Sequence, residues 1–350
     1  MKHLRCGLVG CGVISGTHFG ALEGIECADL VAVSDRQQDR LDRALEKYPE
    51  VQGYPSYEEM LTKEVLDVVI ICTDHASHAD LAIEAMEKGC HVICEKPLTA
   101  HREELDRLLT VRQTHPELKA GGIFQNRFNP SFQVLRDMVS GGKVGKVLSM
   151  SLLHRCHRGE SYYSKDEWRG TLSREGGSAM INQSIHFVDY LLQLGGEVDT
   201  CSGFSQNLTK KGLIETEDVF CGGLTFKSGA LATINLTNAS SESWTYRLTI
   251  AGELGTLELV DGEILSSEGL EVEEERAGLQ KMLDDSRPDG HGKSYYGGFH
   301  QRNLLDFFQS IREGGQPLVS MESQAVTTAV VHELYLSARK NEVRRFISPC

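Results

Sequence analysis

The sequence predicts an α/β protein in two parts: a doubly wound parallel sheet over residues 1–122, then an α+β domain over residues 123–350 built on an open, largely antiparallel sheet with helices. Three observations carry the prediction. A short apolar strand enters a glycine turn near the start of the chain, and apolar runs then alternate with helical patterns as far as residue 124. Beyond that point strand-like runs follow one another, with few helices between them.

The first strand, Leu4-Arg5-Cys6-Gly7-Leu8-Val9, leads into Gly10-Cys11-Gly12-Val13-Ile14-Ser15 and a helix. Gly10 permits the tight turn and Gly12 lets the backbone approach a pyrophosphate, while the amides around Val13 and Ile14 open the helix toward the anion. Ser15 stands where the third glycine or alanine of a dinucleotide fingerprint is usual. A second apolar run, residues 28–34, ends in Asp35, at the spacing of an acid that accepts from ribose hydroxyls. A carboxylate there repels a 2'-phosphate and favours NAD. The adjacent Arg36 can stack on adenine or bind a phosphate instead, which keeps NADP open.

The alternation continues with a helix over residues 37–47, a strand over 65–72, a helix over 78–88, the strand His91-Val92-Ile93-Cys94, a helix over 101–114 and a strand over 120–124. Ligands on a doubly wound sheet sit beyond the carboxyl ends of its strands, so Gly10, Asp35, Thr73, His78 and Lys96 are expected along one rim. Glu95-Lys96-Pro97 follows the fourth strand directly. The proline restricts Lys96 to extended or turn conformations, which aims its ammonium group instead of carrying it on a helix. On its own, such a lysine reads as the solvated end of a strand; the dinucleotide pattern upstream makes it a candidate for proton transfer.

In the second part a helix is expected over residues 130–140, with strands over 147–155, 198–206, 219–226, 231–238, 246–251 and 256–260. Helices are expected over residues 179–194, 298–313 and 321–338, and the polar stretch 277–293 reads as a mobile loop. No internal repeat or low-complexity tract is present.

Composition narrows the function. With 36 basic and 50 acidic residues, the chain carries a net charge of -14, which opposes adhesion to nucleic acid or to an anionic membrane. No apolar stretch is long enough to span a bilayer and the glycine turn comes too early for a secretory leader, so a cytoplasmic protein is expected. The ten cysteines lie mostly in apolar strand runs and are expected to be reduced. Neither Cys90, His91 and Cys94 nor His154, Cys156 and His157 has paired zinc spacing, so no metal is expected.

Gly10 to Ser15, Thr73 with His78, Glu95-Lys96-Pro97, Gln125-Asn126-Arg127-Phe128, Trp168-Arg169-Gly170, and Gly176-Gly177 leading to His186 and Asp189 together resemble the Gfo/Idh/MocA oxidoreductases, which include glucose-fructose oxidoreductase and inositol dehydrogenases. The resemblance spans essentially the whole chain. It implies an N-terminal Rossmann domain, a C-terminal open sheet that mediates a homo-oligomer (dimer or tetramer), and a sugar or cyclitol held between the two. It also implies that Lys96 sits beside the nicotinamide with His186 as partner, and that Arg127, Trp168 and Arg169 contact substrate, with His300 a further candidate. The chain departs from the family at one position: Asn182 stands where many of these dehydrogenases carry aspartate. An amide orients but accepts no proton. Residues 182 and 186 lie one helical turn apart and share a face.

A free lysine titrates near ~10.4. A cationic nicotinamide roughly 5 Å away, at an effective dielectric of about 20, repels it by about 3 kcal/mol, which lowers that value by about two units. The expected activity is an NAD(P)-dependent transfer of hydride between nicotinamide and a secondary hydroxyl or carbonyl of a sugar, sugar derivative or cyclitol. Two alternatives accompany it: a glycoside hydrolase or lyase that oxidises a ring carbon transiently, and a cofactor-sensing protein like the family's galactose-pathway repressor, which the retention of Lys96 and His186 argues against.

Overall fold

The computed structural model describes residues 3–285 and 298–350. Its first half runs β1 (Leu4–Val9), α1 (Ser15–Glu23), β2 (Ala28–Ser34), α2 (Gln38–Lys47), β3 (Gln52–Tyr54), α3 (Tyr57–Lys63), β4 (Val68–Ile71), α4 (His78–Glu87), β5 (His91–Cys94), α5 (Arg102–Thr114) and β6 (Ala120–Gly122). The six strands form one parallel sheet in the order β3-β2-β1-β4-β5-β6. All four residues of β4 are fully buried, as a strand covered by helices on both faces requires. Strand order reverses between β1 and β4, so the crevice for a ligand opens beyond the carboxyl ends of those two strands.

The sequence reading passed over β3 and α3. Three residues of strand are too short to show a period, but α3 carries a start signal in Ser56-Tyr57-Glu58-Glu59: the Ser56 hydroxyl accepts from the Glu59 amide at 3.3 Å.

The second half contains α6 (Pro130–Ser140), β7 (Val147–His157), α7 (Glu160–Tyr163), α8 (Ile185–Gly195), β8 (Val198–Gln206), β9 (Val219–Phe226), β10 (Leu231–Thr237), β11 (Ala239–Gly252), β12 (Thr256–Val260), β13 (Glu263–Ser266), α9 (Glu273–Asp285), α10 (Phe299–Glu313), α11 (Met321–Lys340) and β14 (Arg344–Arg345). Eight strands form a sheet in the order β13-β12-β11-β7-β10-β9-β8-β14. All its pairs are antiparallel except the central one, β7 with β10. The inward side chains Met150, Leu152, Leu224, Ile234, Leu236 and Leu248 pack in one core with Ile185, Val188 and Leu191 of α8 and with Val330 and Leu334 of α11.

Three local differences from expectation have physical causes. The helix expected over residues 179–194 opens as a wider π-helical turn, Ala179–Ser184, before α8. The buried Glu217 carboxylate holds that opening by accepting from the amides of Ser178 and Met180, the latter at 3.0 Å. The loop expected over residues 277–293 is helix α9 as far as Asp285, pinned by the buried Leu279 and by Arg276 Nε donating to the Ile264 carbonyl at 2.8 Å; the rest of that stretch lies outside the described residues. Finally, α10 leaves the second sheet. Its Leu304, Phe307 and Phe308 join Leu8, Phe19, Ile70 and Ile93 in the core of the first.

Candidate active site

The rim expected from the sequence forms at the carboxyl ends of β1, β2, β4 and β5. Gly10 adopts a φ of +96°, and a side chain there would meet the Cys72 carbonyl oxygen at 2.7 Å, so only glycine suits this turn. Gly12 differs: a Cβ at that position would approach nothing but Arg40 Nη1, at 3.7 Å. It faces open space, as a backbone that cradles a phosphate must. Val13 is 56% exposed, and α1 begins after Ile14 with no side chain capping its first amides, leaving them directed at the groove. The buried Asp35 carboxylate accepts from the Cys11 amide at 2.7 Å and the Gln37 amide at 2.8 Å, one on each oxygen. Each oxygen keeps capacity for a hydroxyl, which fits a ribose. Arg36 is largely exposed, its nearest carboxylate Asp74 at 3.8 Å.

Lys96 projects from the end of β5 across the cleft to the π-helical turn. Its Nζ donates to the Asn182 carbonyl at 2.8 Å and to Asn182 Oδ1 at 3.2 Å. Burial lowers its pKa; the Glu95 charge opposes that and the Arg169 charge adds to it. His186 is held well below the ordinary imidazole range by burial first and by the Lys96 charge second, so it is neutral, and its Nδ1 has no hydrogen-bond partner among the described residues. Lys96 thus bonds Asn182 and acts by its charge on His186.

Glu95 is buried behind Lys96. It accepts from His18 Nε2 at 2.8 Å and from the Lys96 amide at 3.1 Å, with His300 Nε2 at 3.9 Å. His300 is therefore a support of Glu95, packed edge-on against His18. His18, Glu95 and His300 form the one group among the described residues whose donor atoms gather as metal ligands do, all within 4.8 Å. Within that group His18 and Glu95 hydrogen-bond directly.

Three other expected residues are engaged with partners inside the protein. His78 places Nδ1 2.8 Å from the Pro97 carbonyl, bracing the turn that carries Lys96, and its Nε2 lies 3.2 Å from the Thr73 carbonyl. The Thr73 hydroxyl accepts from Ser77 Oγ at 2.7 Å. Arg127 spends its donors inside the protein, on Asp189 at 2.6 and 2.8 Å, on Ser323 Oγ at 2.9 Å and on the Leu318 carbonyl at 3.3 Å. With Asp189 buried as its partner, Arg127 ties α8 to α11 and is no free hand for a ligand.

Trp168 packs 4.9 Å from the His75 ring, and the Arg169 charge reaches Lys96. The Arg169 guanidinium sits over the Trp168 ring at 4.7 Å and the Tyr162 ring at 4.3 Å, and its Nε donates to Asp166 at 3.0 Å. Asp166 also receives Arg40 at 2.5 Å, and Arg174 bonds Asp74 at 2.8 Å, so two ion pairs join the halves of the chain across the groove.

Three participants escaped the sequence reading. The Tyr162 phenol accepts from Asn182 Nδ2 at 3.2 Å and Gln183 Nε2 at 2.9 Å, and also from Arg169. Arg158 stacks on Tyr162 at 5.1 Å and on Trp244 at 5.4 Å, donates to Gln183 Oε1 at 2.8 Å, and has no carboxylate partner among the described residues. Glu175, fully buried, receives the Asn182 amide and the Gly170 backbone N–H. The sequence does hold a signal for it: Glu175 directly precedes Gly176-Gly177, and a side chain at Gly176 would collide with the Ala100 carbonyl in the loop after Lys96-Pro97.

Residues 4–118 match the model of an oxidoreductase family with an NAD-binding Rossmann fold, Gfo/Idh/MocA, and residues 132–258 match the C-terminal domain of the same family. The chain is 27% identical to a myo-inositol 2-dehydrogenase of Thermotoga maritima over 73% of its own length and 74% of that protein's. Among solved structures it is similar to the WlbA dehydrogenase from Bordetella pertussis, in complex with NADH and UDP-GlcNAcA: TM-score 0.89, 25% identity, covering 99% of this chain and 98% of that one. It is also similar to the WlbA dehydrogenase from Chromobacterium violaceum, in complex with the same two molecules: TM-score 0.88, 27% identity, covering 99% and 97%. With the glycine turn, the buried acid after β2 and the lysine after β5 all on one rim, the chain belongs to the Gfo/Idh/MocA family of NAD-binding oxidoreductases.

Proposed function

We propose that this protein is an NAD-dependent dehydrogenase or reductase acting on a secondary alcohol or ketone of a sugar derivative or cyclitol, with Lys96 as its acid and base. The observation that carries this reading is the Lys96 Nζ held 2.8 Å from the Asn182 carbonyl, in a lysine that burial pulls toward neutrality. Gly10, Gly12, Val13 and Ile14 would hold a bound dinucleotide, with Asp35 facing its ribose, and the group would supply the hydride acceptor. In oxidation, neutral Lys96 takes the hydroxyl proton; in reduction its ammonium returns it. His186 orients the same oxygen from the other side, and Trp168 and Arg169 wall the cleft. Residues 1–122 bind cofactor, while residues 123–350 provide the substrate and assembly surfaces.

The charges favour an acidic sugar derivative over a neutral cyclitol. Arg158 and Arg169 both act on Lys96 electrostatically, and Arg158, half-buried, meets no carboxylate among the described residues, which leaves its charge available to an anionic group. The UDP-GlcNAcA bound by the WlbA dehydrogenases is a molecule of that class.

A homo-oligomer, dimer or tetramer, is part of the proposal. The strand register turns Leu153, Leu231, Phe204, Val219 and Cys221 to the outer side of β7-β10-β9-β8, with serines and threonines around them, and Phe204 is 66% exposed. A charge-depleted sheet face of this kind suits a subunit contact, and light scattering on the eluted protein gives the size. The cytoplasmic setting rests on ten cysteines without a disulfide and on the lack of any described helix long and apolar enough to cross a membrane.

The test follows absorbance of the reduced nicotinamide while purified protein meets NAD with UDP-linked N-acetylglucosaminuronate, myo-inositol and aryl glycosides. Net NADH formation is expected, largest with the uronate. Aglycone release without it overturns the reading in favour of redox-neutral glycoside cleavage. Lys96→Ala is expected to lower kcat by about 10²–10⁴ with NAD still bound; turnover within a few fold of wild type removes the lysine from the mechanism.

A further inference from the structure

We infer that Glu175 is a positioning residue for this chemistry: acting through the side chain of Asn182, it supplies the negative charge that stabilises the ammonium form of Lys96. The inference rests on the acid-base reading of Lys96 and deepens it.

Asn182 cannot take a proton, but its amide has two ends and both are engaged. Oδ1 accepts from Lys96 Nζ at 3.2 Å, and Nδ2 donates to Glu175. This polarity is fixed, because turning the amide over would set Nδ2 against the ammonium and Oδ1 against the carboxylate. The chain Lys96–Asn182–Glu175 therefore aligns a cation, a dipole and an anion. Glu175 is 0% exposed, its other oxygen accepts from the Gly170 amide, and no ion pair is formed by it among the described residues. A buried carboxylate served only by neutral donors is expensive. A glutamine would satisfy one neutral donor without that cost, so the charge itself needs a reason.

The reaction gives one. When the alcohol is oxidised, its O–H proton moves to Lys96 Nζ, the C–H electron pair leaves as hydride for the dinucleotide, and Lys96 gains a positive charge. Arg158 and Arg169 already oppose that charge, and Glu175 favours it. The other groups acting on Lys96, or acted on by it, are Glu95 from the rim and His75, His186 and His300. Glu175 in turn is faced by Tyr162 and Tyr163 of α7, by Arg169, by Glu217 before β9 and by Tyr335 of α11. Burial of Glu175 pushes its pKa up to about 7, so the charge offered to Lys96 is itself set by pH near neutrality.

The experiment uses the NAD-loaded full chain and needs no sugar: the rate of Lys96 acetylation by acetic anhydride is read by peptide mass spectrometry across pH. Glu175→Gln is expected to move the midpoint of Lys96 reactivity to lower pH by roughly one unit. The double variant Glu175→Gln/Asn182→Asp, which moves the carboxylate onto the lysine, is expected to bring the midpoint back up. With any sugar that is turned over, Glu175→Gln should lower kcat about tenfold, leave KM within about twofold, and shift the acidic limb of the kcat profile with the labelling midpoint. An unmoved midpoint in a folded Glu175→Gln protein overturns the inference and leaves Glu175 a structural brace. If that variant does not fold, Glu175→Asp takes its place, with a smaller downward shift expected and no shift overturning. Because labelling is independent of turnover, a protein that oxidises no sugar but shows the shift loses the proposed reaction and keeps the linkage.

Discussion

Two buried glutamates flank Lys96, one on each side of the cleft, and they meet opposite fates. Burial alone raises the pKa of both. On the cofactor side, the hydrogen bond and charge of His18, with His300 and Lys96, reverse that push and carry Glu95 down to about 2. On the substrate side, Asn182 and the Gly170 amide oppose the push without overcoming it, and Glu175 stays at about 7. The same functional group at the same depth is thus a permanent anion in one place and a titrating one in the other. The direct His18 bond and the Lys96 charge beside it decide the first; at the second, the Arg169 charge is countered by that of Glu217, and burial leaves the carboxyl poised.

Breaking the charged side should have the largest effect. Glu95→Ala leaves His18 and His300 facing an empty, buried space and is expected to lose about 3–5 kcal/mol of stability, read as the urea midpoint. Glu175→Gln should lose far less in the same titration, and equal losses would erase the distinction between the two sites.

Acid should sharpen the comparison next. Burial depresses His154, His300 and His332 to about 3, so the stability they lend is complete above the ordinary imidazole value and drains away as pH falls below it. Glu95, also depressed, adds its loss as pH drops from its ordinary value of 4.5 toward about 2. Glu175 runs the other way. Its pKa is raised from 4.5 to about 7, so it favours the folded state below 4.5 and costs stability as pH rises through 7. The difference in Tm between Glu175→Gln and wild type should therefore move in favour of the variant from pH 5 to pH 8, and a gap independent of pH would contradict the raised value. The smallest effect concerns Asp35, a third carboxylate that accepts from amides. Asp35→Ala is expected to weaken NAD binding about tenfold, the range of a hydrogen bond to a charged group, and to narrow the margin over NADP in a fluorescence titration.

Much of this architecture was legible in the sequence. The rim could be read because each of its residues ends an apolar strand, and strand ends are local information: Val9 before Gly10, Ser34 before Asp35, Cys94 before Glu95 and Lys96. The nearness of Asn182 and His186 in the chain could be read directly, but not the π-helical turn that carries the first of them. What escaped depends on contacts between distant segments. Arg127 resembles a ligand-binding arginine until Asp189, 62 positions away, is seen to consume it. Glu175 reads as an ordinary acid in a glycine-rich turn until Gly176 is pressed against the carbonyl of Ala100 and Asn182 is brought over it. His300 reads as a helix start until α10 crosses to the far sheet and sets it 3.9 Å from Glu95.

That crossing of α10 bears on how the chain is made. The hydrophobic interior beneath the glycine turn is finished by Leu304, Phe307 and Phe308, which are synthesised more than two hundred residues after the strands they cover. A nascent chain emerging from the ribosome can pair β1 with β2 and β4 early, but it exposes an unfinished apolar surface until translation has passed residue 308. The nucleotide half is the first to be made and among the last to be closed.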